Sequence, residues 1–325
     1  MIISRAPLRI TLGGGGTDLP TYYEANEGGF LVAAAINKHV YVSTHENFEN
    51  EYLLKYSSIE KVSSISQIVH PIIREALKVL ELHPGLEISS LADIPAGTGL
   101  GSSGTFTVSL LKSLTAFNSI ILDNSEIASL ACKIEIELLK NPVGKQDQYI
   151  SAMGGIRTLE FLPNGEVLCK DLQLSPQVRK TLENNLLLFF TGIKRSATEE
   201  LSALENSERM LSREVIANLN AVKLAGKDAA HALAAGNLQD YAEMLTAQWN
   251  LKLHRSKTQT NLKVNEWIEA GIEAGAVGGK LVGAGGGGFL LFYAEQQDEL
   301  RNRMSELGLR EVPFSFDSEG VTLIS

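Results

Sequence analysis

Short apolar runs alternate with turn-forming residues along the first 57 positions, as expected of consecutive β-strands. The runs are IISRAPLRITL, GGFLVAAAI, HVYVSTHE and EYLLKYS. A further strand is predicted in GLEISSLAD, at positions 85–93. The chain is therefore expected to begin with a β-sheet.

Helical spacing of apolar residues appears in SQIVHPIIREALKVLEL, and two more helices are predicted at 102–118 and 124–140. The segment IRTLEFLPNGEVLCKDL contains two short strands around Asn164 and Gly165, a dipeptide favoured in tight hairpin turns. We expect this hairpin to close a first domain.

The second half of the chain begins with a predicted buried strand, NNLLLFFTG. Long helical patterns follow from about 196 to 275, and then the glycine-rich segment GGKLVGAGGGGFLLFYA. This order is typical of an α+β protein rather than of a strict strand-helix alternation. We predict two domains, residues 1–172 and 173–325, with no repeat or low-complexity linker between them.

The net charge and the length of the apolar runs argue against nucleic-acid and membrane partners. The 325 residues carry a formal net charge of −9, which opposes nonspecific binding to nucleic acid. No uninterrupted apolar run approaches the roughly 18 residues that span a bilayer, and the N-terminal MIISRAPLRITL has no signal-peptide cleavage site. We expect a cytoplasmic protein with no nucleic-acid and no membrane partner; a homodimer is compatible with these features. The two cysteines, Cys132 and Cys169, form no metal-binding pattern and are expected to be buried thiols.

The segment PAGTGLGSSG places four glycines and two serines directly before a predicted helix. Gly99, Gly101 and Gly104 satisfy the pattern GxGxxG, and Asp123 follows about 20 residues later, as in dinucleotide-binding folds. Four residues, Pro95 to Thr98, stand directly before this pattern, whereas the fingerprint turns directly from strand to helix. The dinucleotide interpretation therefore rests on a partial match.

A phosphate-binding loop accounts for more of these residues than a dinucleotide fingerprint or a simple turn capped by Ser102. Glycines let backbone N–H groups face an anion, and the following helix presents its positive end. Ser102 or Ser103 could then contact a phosphate oxygen or Mg²⁺. The P-loop NTPase motif is absent, because no Gly-Lys pair is followed by Ser or Thr.

PAGTGLGSS resembles the phosphate loop of the GHMP kinases, the group that includes galactokinase, homoserine kinase, mevalonate kinase and phosphomevalonate kinase. APLRITLGGGGTD is similar to the family's N-terminal sugar-kinase motif, and GKLVGAGGGGFLLF is similar to its C-terminal glycine-rich motif. The resemblance implies an α+β fold of two domains: an N-terminal α/β domain with the phosphate loop and a ferredoxin-like C-terminal domain, with ATP and Mg²⁺ bound between them. It assigns ATP binding to Pro95, Gly97, Gly99, Leu100, Gly101, Ser102, Ser103 and Gly104.

The same resemblance implies two catalytic residues. NPVGKQDQYISAMGG is similar to the family segment that bears the catalytic aspartate, so Asp147 is expected to act as a base or to orient the attacking hydroxyl. Arg9 stands where relatives carry a cation that neutralises charge near the transferred phosphoryl group.

Two glutamates in the helical segment EIASLACKIEIELLK are candidates for a Mg²⁺ ligand. On a helix, Glu135 shares a face with Ala131 and Leu138, whereas Glu137 lies on a solvated face. A carboxylate on an apolar face needs a partner. We therefore expect Glu135, together with Ser103, to hold the metal.

Asp18, in GGGGTD, resembles the galactokinase aspartate that accepts hydrogen bonds from sugar hydroxyls, and Thr17 is assigned to the same site. Galactokinases carry a Glu-His pair where this chain has Gly15 and Gly16, which argues against galactose and leaves space for a bulkier or phosphorylated sugar. GGGGTD, KQDQY and TGIKRSA look most like the heptose 7-phosphate kinases of the family, which phosphorylate the anomeric hydroxyl. Arg195 is then expected to bind the sugar phosphate.

Gly285 and Gly286 belong to the C-terminal motif, where missing side chains would let the second domain approach the phosphate loop and the substrate. The expected activity is ATP-dependent phosphorylation of D-glycero-D-manno-heptose 7-phosphate to the 1,7-bisphosphate. A fucokinase-like or other anomeric sugar kinase is the alternative enzyme, and a catalytically silent sugar-binding sensor on the same fold is the non-enzyme alternative. The combination of Arg9, Glu135 and Asp147 favours an enzyme, because sugar binding alone would not require it.

Overall fold

The computed structural model describes residues 1–194, 212–255, 259–283, 285 and 287–325. Twelve strands within these ranges form two sheets. They are β1 (Ile2–Gly14), β2 (Gly29–Glu46), β3 (Tyr52–Lys55), β4 (Ile59–Val62), β5 (Leu86–Ala92), β6 (Ile156–Phe161), β7 (Val167–Asp171), β8 (Leu186–Phe190), β9 (Gly278–Val282), β10 (Phe289–Tyr293), β11 (Arg310–Glu311) and β12 (Thr322–Leu323).

Helices cover both sheets. In the described part of the chain they are α1 (Pro20–Tyr23), α2 (Pro71–Val79), α3 (Ser102–Phe117), α4 (Asn124–Cys132), α5 (Gln146–Met153), α6 (Pro176–Asn185), α7 (Arg213–Ala235), α8 (Leu238–Arg255), α9 (Gln259–Glu273) and α10 (Asp298–Glu306). A 3₁₀ turn at Ile65–Gln67 precedes α2, and a π-helical segment, Lys133–Leu138, continues α4. None of the helices described has the length and apolar composition needed to cross a membrane.

The first sheet has the order β12-β1-β2-β5-β3-β4, with β6 and β7 added beside β2. The 18-residue β2 is long enough to pair with β6 through its first part and with β5 through its second part. The predicted hairpin at Asn164 and Gly165 is confirmed, because β6 pairs with β7 in antiparallel register across this turn. The last strand, β12, returns from the end of the chain to pair with β1.

The second sheet has the spatial order β11-β8-β10-β9. Along the chain, helices α7, α8 and α9 lie between β8 and β9, and α10 lies between β10 and β11. This is the β-α-β-β-α-β arrangement of a ferredoxin-like domain, and it confirms the expected two-domain α+β architecture. The glycine-rich segment predicted near the end of the chain forms the β9-β10 hairpin.

From Leu8 onward, the side chains of β1 alternate between the two faces of the sheet. Leu8 and Ile10 pack in a core shared with α7, α8 and the second sheet. Arg9 and Thr11 face the other way and make hydrogen bonds with α5. This alternation brings a buried arginine to the junction of the two halves of the fold.

The predicted helix at 124–140 begins where expected but changes type. Asp123 caps α4: its carboxylate accepts from the backbone N of Glu126 at 2.8 Å, and the Glu126 carboxylate accepts from the backbone N of Asp123 at 2.7 Å. The dinucleotide interpretation, which needed Asp123 as a ribose ligand, is therefore wrong. The largely antiparallel sheet agrees, since that fingerprint belongs to a parallel doubly wound fold.

Candidate active site

A cavity of about 980 Å³ lies where the two halves of the protein meet. Its walls come from β1, the loop before α3, the start of α5, α8 and the end of β9. The sequence-predicted residues among its lining are Arg9, Asp18, Gly97, Gly99, Gly101, Ser102, Ser103, Gly104, Glu135 and Asp147. The structure thus brings the three expected chemical groups, a cation and two carboxylates, to one cavity.

The loop before α3 ends in Gly101, which has a left-handed backbone (φ +84°) and makes no side-chain cap. The simple-turn alternative, in which Ser102 caps the helix, is therefore wrong. Ser102 is the first helical residue instead, and its buried hydroxyl has no hydrogen-bond partner among the described residues. Ser102, Ser103 and Gly104, in the first turn of this 16-residue helix, line the cavity, so that the positive end of the helix dipole lies at its wall.

Two of the residues assigned to ATP binding lie outside the cavity lining. Leu100 is buried in the core, and its carbonyl accepts from the backbone N of Arg9 at 3.0 Å. Pro95 is exposed, and its carbonyl accepts from the hydroxyl of Thr98 at 3.0 Å. Both residues fix the shape of the loop.

Asp147 lies in the first turn of α5 and contacts Arg9. The guanidinium of Arg9 donates from Nε to Asp147 Oδ1 at 2.7 Å and from Nη1 to the carbonyl of Gly99 at 2.6 Å. A Cβ at Gly104 would lie 2.7 Å from the Cβ of Asp147, so only glycine allows this approach. The Asp147 side chain stays 25% exposed, whereas that of Arg9 is buried.

Glu135 is fully buried in the π-helical segment, whereas Glu137 is exposed. The Glu135 carboxylate accepts from the Ser103 hydroxyl at 2.6 Å and from Gln148 Nε2 at 2.9 Å. Burial raises the pKa of Glu135, and these two hydrogen bonds oppose the rise. Leu138, which an α-helix would place on the same face, is 44% exposed, because the π-turn changes the register.

Glu135 and Ser103 provide oxygen ligands of the kind that Mg²⁺ takes together with substrate phosphates. Gln148 Oε1, beside them, is buried and has no partner among the described residues. The described chain contains no group of three His, Cys, Asp or Glu side chains that would hold a metal unaided. The residues fit a Mg²⁺ ion whose remaining ligands come from a nucleotide and water.

Asp18 lines the same cavity beside the start of α5. Its carboxylate accepts from the backbone N of Gly16 at 3.0 Å and from that of Gln146 at 3.4 Å. Burial raises the pKa of Asp18, and the charge of Asp147 raises it further. Thr17 is buried outside the lining, where its hydroxyl donates to the carbonyl of Phe30 at 3.0 Å and holds the loop against β2.

The C-terminal glycine-rich segment touches the phosphate loop through Gly283. Its backbone has a φ of +85°, and an added Cβ would lie 2.5 Å from the carbonyl of Gly99. Gly285 is described but is not part of the cavity lining. Arg195 and Gly286, expected at the substrate, lie outside the described residues, so their assignments stay predictions from the sequence.

The contact of Gly283 with Gly99 gives a testable prediction. Gly283→Ala should lower kcat/KM by about 10- to 100-fold, because its methyl group would displace the phosphate loop from the reacting groups. Gly275→Ala is the matched control, since Gly275 also has a positive φ (+94°) but nothing within 4 Å of an added Cβ. Both variants should lose about 1–2 kcal/mol of stability from backbone strain. Equal kcat/KM values for the two variants would contradict a role for the contact between Gly283 and Gly99 in catalysis.

Several cavity residues escaped the sequence analysis. Gln146 accepts from the Thr11 hydroxyl at 2.8 Å, and Gln248 on α8 accepts from the backbone N of Gly14 at 3.0 Å. Lys280 on β9 donates to Gln248 Oε1 at 3.3 Å. The available signal was a polar side chain within an otherwise apolar stripe, which marks Gln248 between Leu245 and Trp249.

Family sequence models match two parts of the chain: the GHMP kinases N terminal domain at residues 67–155 and the GHMP kinases C terminal domain at residues 229–309, together just over half of it. The chain belongs to the GHMP kinases. It is by class a sugar kinase, an ATP-dependent phosphotransferase, which confirms the family expected from the three motifs.

Three relatives indicate which branch this GHMP kinase resembles. It is 28% identical to D-glycero-alpha-D-manno-heptose 7-phosphate kinase of Campylobacter jejuni, over 98% of each chain. A crystal structure of a D-glycero-D-manno-heptose 1-phosphate kinase from Bacteroides thetaiotaomicron has a TM-score of 0.80 at 27% identity and covers 100% of this chain and 99% of that chain. An L-fucokinase/L-fucose-1-P guanylyltransferase of Bacteroides fragilis is 27% identical, over 91% of this chain and 35% of that protein.

Proposed function

We propose that this GHMP kinase transfers the γ-phosphoryl group of ATP to the anomeric hydroxyl of D-glycero-D-manno-heptose 7-phosphate and forms the 1,7-bisphosphate. The observation that carries the proposal is the ion pair of Arg9 and Asp147, which lies directly against the phosphate loop and faces the same cavity as Asp18. A donor phosphate and an acceptor hydroxyl would meet at this pair.

The reaction needs an aligned acceptor hydroxyl and charge neutralisation at the phosphoryl group. The half-buried carboxylate of Asp147 would accept a hydrogen bond, and then the proton, from the acceptor hydroxyl. Arg9, fixed between Asp147 and the carbonyl of Gly99, would hold positive charge beside the transferred group without having to reorganise.

The part of the cavity that would bind ATP, the phosphoryl donor, consists of backbone groups and two side chains. The N–H groups at the start of α3 would bind the ATP phosphates. Glu135 and Ser103 would hold Mg²⁺, and the bound ion would neutralise phosphate charge. The buried position of Glu135 limits access of water to the metal side of the site.

The part of the cavity that would bind the acceptor sugar contains few bulky side chains. Gly15 and Gly16 line the cavity beside Asp18, whose carboxylate is held by backbone N–H groups and could still accept from sugar hydroxyls. This space supports a seven-carbon sugar phosphate. We retain Arg195 as the proposed phosphate ligand on its sequence motif alone, and residues 1–172 and 173–325 as the proposed domains.

Two alternatives remain distinct from this proposal. Similarity to the L-fucokinase/L-fucose-1-P guanylyltransferase of Bacteroides fragilis favours L-fucose or another sugar phosphorylated at its anomeric hydroxyl. A catalytically silent sugar sensor is disfavoured by two hydrogen-bonded pairs, Arg9 with Asp147 and Ser103 with Glu135. Sugar binding alone requires neither pair.

A coupled assay of ADP release, run over free and phosphorylated heptoses and hexoses with ATP and Mg²⁺, tests the assignment. Heptose 7-phosphate should give a higher kcat/KM than the matching unphosphorylated heptose, L-fucose or galactose. A preference for L-fucose would replace the substrate while leaving the kinase class intact. Absence of ADP release with every sugar, combined with measurable sugar binding, would favour the sensor.

A further inference from the structure

Lys280 lies on β9, in a strand whose other residues are apolar or glycine. Only 5% of its surface is exposed, and its side chain lines the cavity together with Arg9 and Gln248. The proposed roles for the donor and acceptor sites leave this lysine unused. A buried ammonium group in a reaction cavity therefore needs its own explanation.

The surroundings of Lys280 contain positive charge but no compensating carboxylate. Its Nζ donates to the neutral Gln248 Oε1 at 3.3 Å, and none of the ion pairs in the described part of the protein includes it. Burial and the nearby charge of Arg9 lower the pKa of Lys280 to about 7. The ligand-free site thus disfavours the charged form of Lys280, and a bound anion would restore it.

Gln248, the partner of Lys280, has a buried donor that lacks an acceptor. Its Oε1 accepts from Lys280 and from the backbone N of Gly14, while its Nε2 is buried with no partner among the described residues. An unpaired buried cation and an unsatisfied buried amide donor both lower stability. An anion that accepts from Lys280 Nζ and Gln248 Nε2 would satisfy both groups.

We propose that Lys280 Nζ and Gln248 Nε2 form a binding position for a phosphate group in the cavity, beside Arg9. Phosphate supplies several acceptor oxygens and up to two negative charges, which matches two donors and two neighbouring cations. The inference rests on the proposed kinase function, which offers two sources for this group: the γ-phosphate of the nucleotide or the phosphate already present on the acceptor.

Thermal unfolding of the full-length chain tests the site without requiring turnover. Lys280→Met should unfold at the same or a higher temperature than the wild type when no ligand is present, because the free-energy cost of burying an amino group without an anion is removed. Inorganic phosphate should raise the unfolding temperature of the wild type, and it should raise that of this variant much less. Lys280→Arg should retain most of the response, and Lys170→Met, at an exposed position on β7, is the matched control for losing one positive charge.

Four further ligands separate the two sources. A γ-phosphate contact predicts that Lys280→Met raises the Kd for AMP-PNP with Mg²⁺ by about 10- to 100-fold while the Kd for ADP changes little. An acceptor-phosphate contact predicts the same selective loss for heptose 7-phosphate compared with unphosphorylated heptose. Either pattern, or both together, supports the proposal.

The proposal is overturned if Lys280→Met binds all these ligands as the wild type does. It is also overturned if the variant is less stable and loses ADP and unphosphorylated heptose as strongly as the phosphate-bearing ligands, since that pattern indicates a structural role. Gln248→Met provides an independent variant with the same selective loss expected. Failure of sugar phosphorylation by the wild type would remove the proposed function but leave phosphate binding at Lys280 measurable.

Discussion

Asp147→Asn should lower kcat by about 100- to 10,000-fold while the affinity for ATP changes little. Asparagine keeps the size of the side chain and can still accept from Arg9 Nε, but it cannot take the proton of the acceptor hydroxyl. Nucleotide binding should persist, because the proposed ATP-binding groups lie in the phosphate loop and α3 rather than in α5. Single-turnover kinetics together with nucleotide titration would measure both quantities.

Asp123→Asn is the matched control for this substitution. Asp123 caps α4 far from the chemistry, and asparagine is an equally good helix cap, so its kcat should be that of the wild type. Asp147→Asn also leaves the buried guanidinium of Arg9 without its anion, and we expect a lower unfolding temperature. A kcat within a few-fold of the wild type would remove Asp147 from the mechanism.

Glu135→Ala should raise the Mg²⁺ concentration needed for half-maximal activity by tenfold or more, whereas Glu137→Ala should leave it nearly unchanged. The prediction follows from the contrast between a buried carboxylate bonded to Ser103 and an exposed one, two residues further along the same π-helical segment, that does not line the cavity. Activity measured across a Mg²⁺ titration at fixed ATP would rank the two variants.

Glu135→Gln separates loss of charge from loss of volume at this position. The amide fills the same space as the carboxylate, so its Mg²⁺ requirement should still rise if the metal needs the negative charge. A normal requirement in Glu135→Gln with a raised one in Glu135→Ala would indicate that Glu135 supports the loop through Ser103. A larger effect at Glu137 would show that the wrong carboxylate was chosen.

The sequence predicted the elements whose signals are local. The helix at 102–118 and the strand at 85–93 occur as Ser102–Phe117 and Leu86–Ala92, because each combines clear periodicity with glycine or turn residues at its ends. The π-helical segment was not predictable, since its apolar pattern also fits an α-helix. Cys169, expected to be buried, is only partly buried, because β7 pairs on one side only at the edge of the sheet.

The residues of the candidate site that belong to sequence motifs could be predicted, whereas those that only tertiary packing brings to the cavity could not. Arg9 and Asp147 are 138 positions apart, and only the family resemblance suggested that they meet. Gln248 and Lys280 lie on different elements of the C-terminal half. Lys280 belongs to the C-terminal glycine-rich motif, but the motif assigns no role to its side chain, and no local pattern relates Gln248 to the phosphate loop. Their juxtaposition depends on packing of the second sheet and α8 against β1.

The most direct test of the central claim is the identity of the phosphorylated product. The purified protein would be incubated with ATP, Mg²⁺ and D-glycero-D-manno-heptose 7-phosphate, and the mixture examined by phosphorus and proton NMR. We predict a new phosphorus resonance coupled to the anomeric proton, formed in step with ADP, while the 7-phosphate resonance persists. A new phosphate on any other carbon, or ADP formed together with free phosphate alone, would contradict the account.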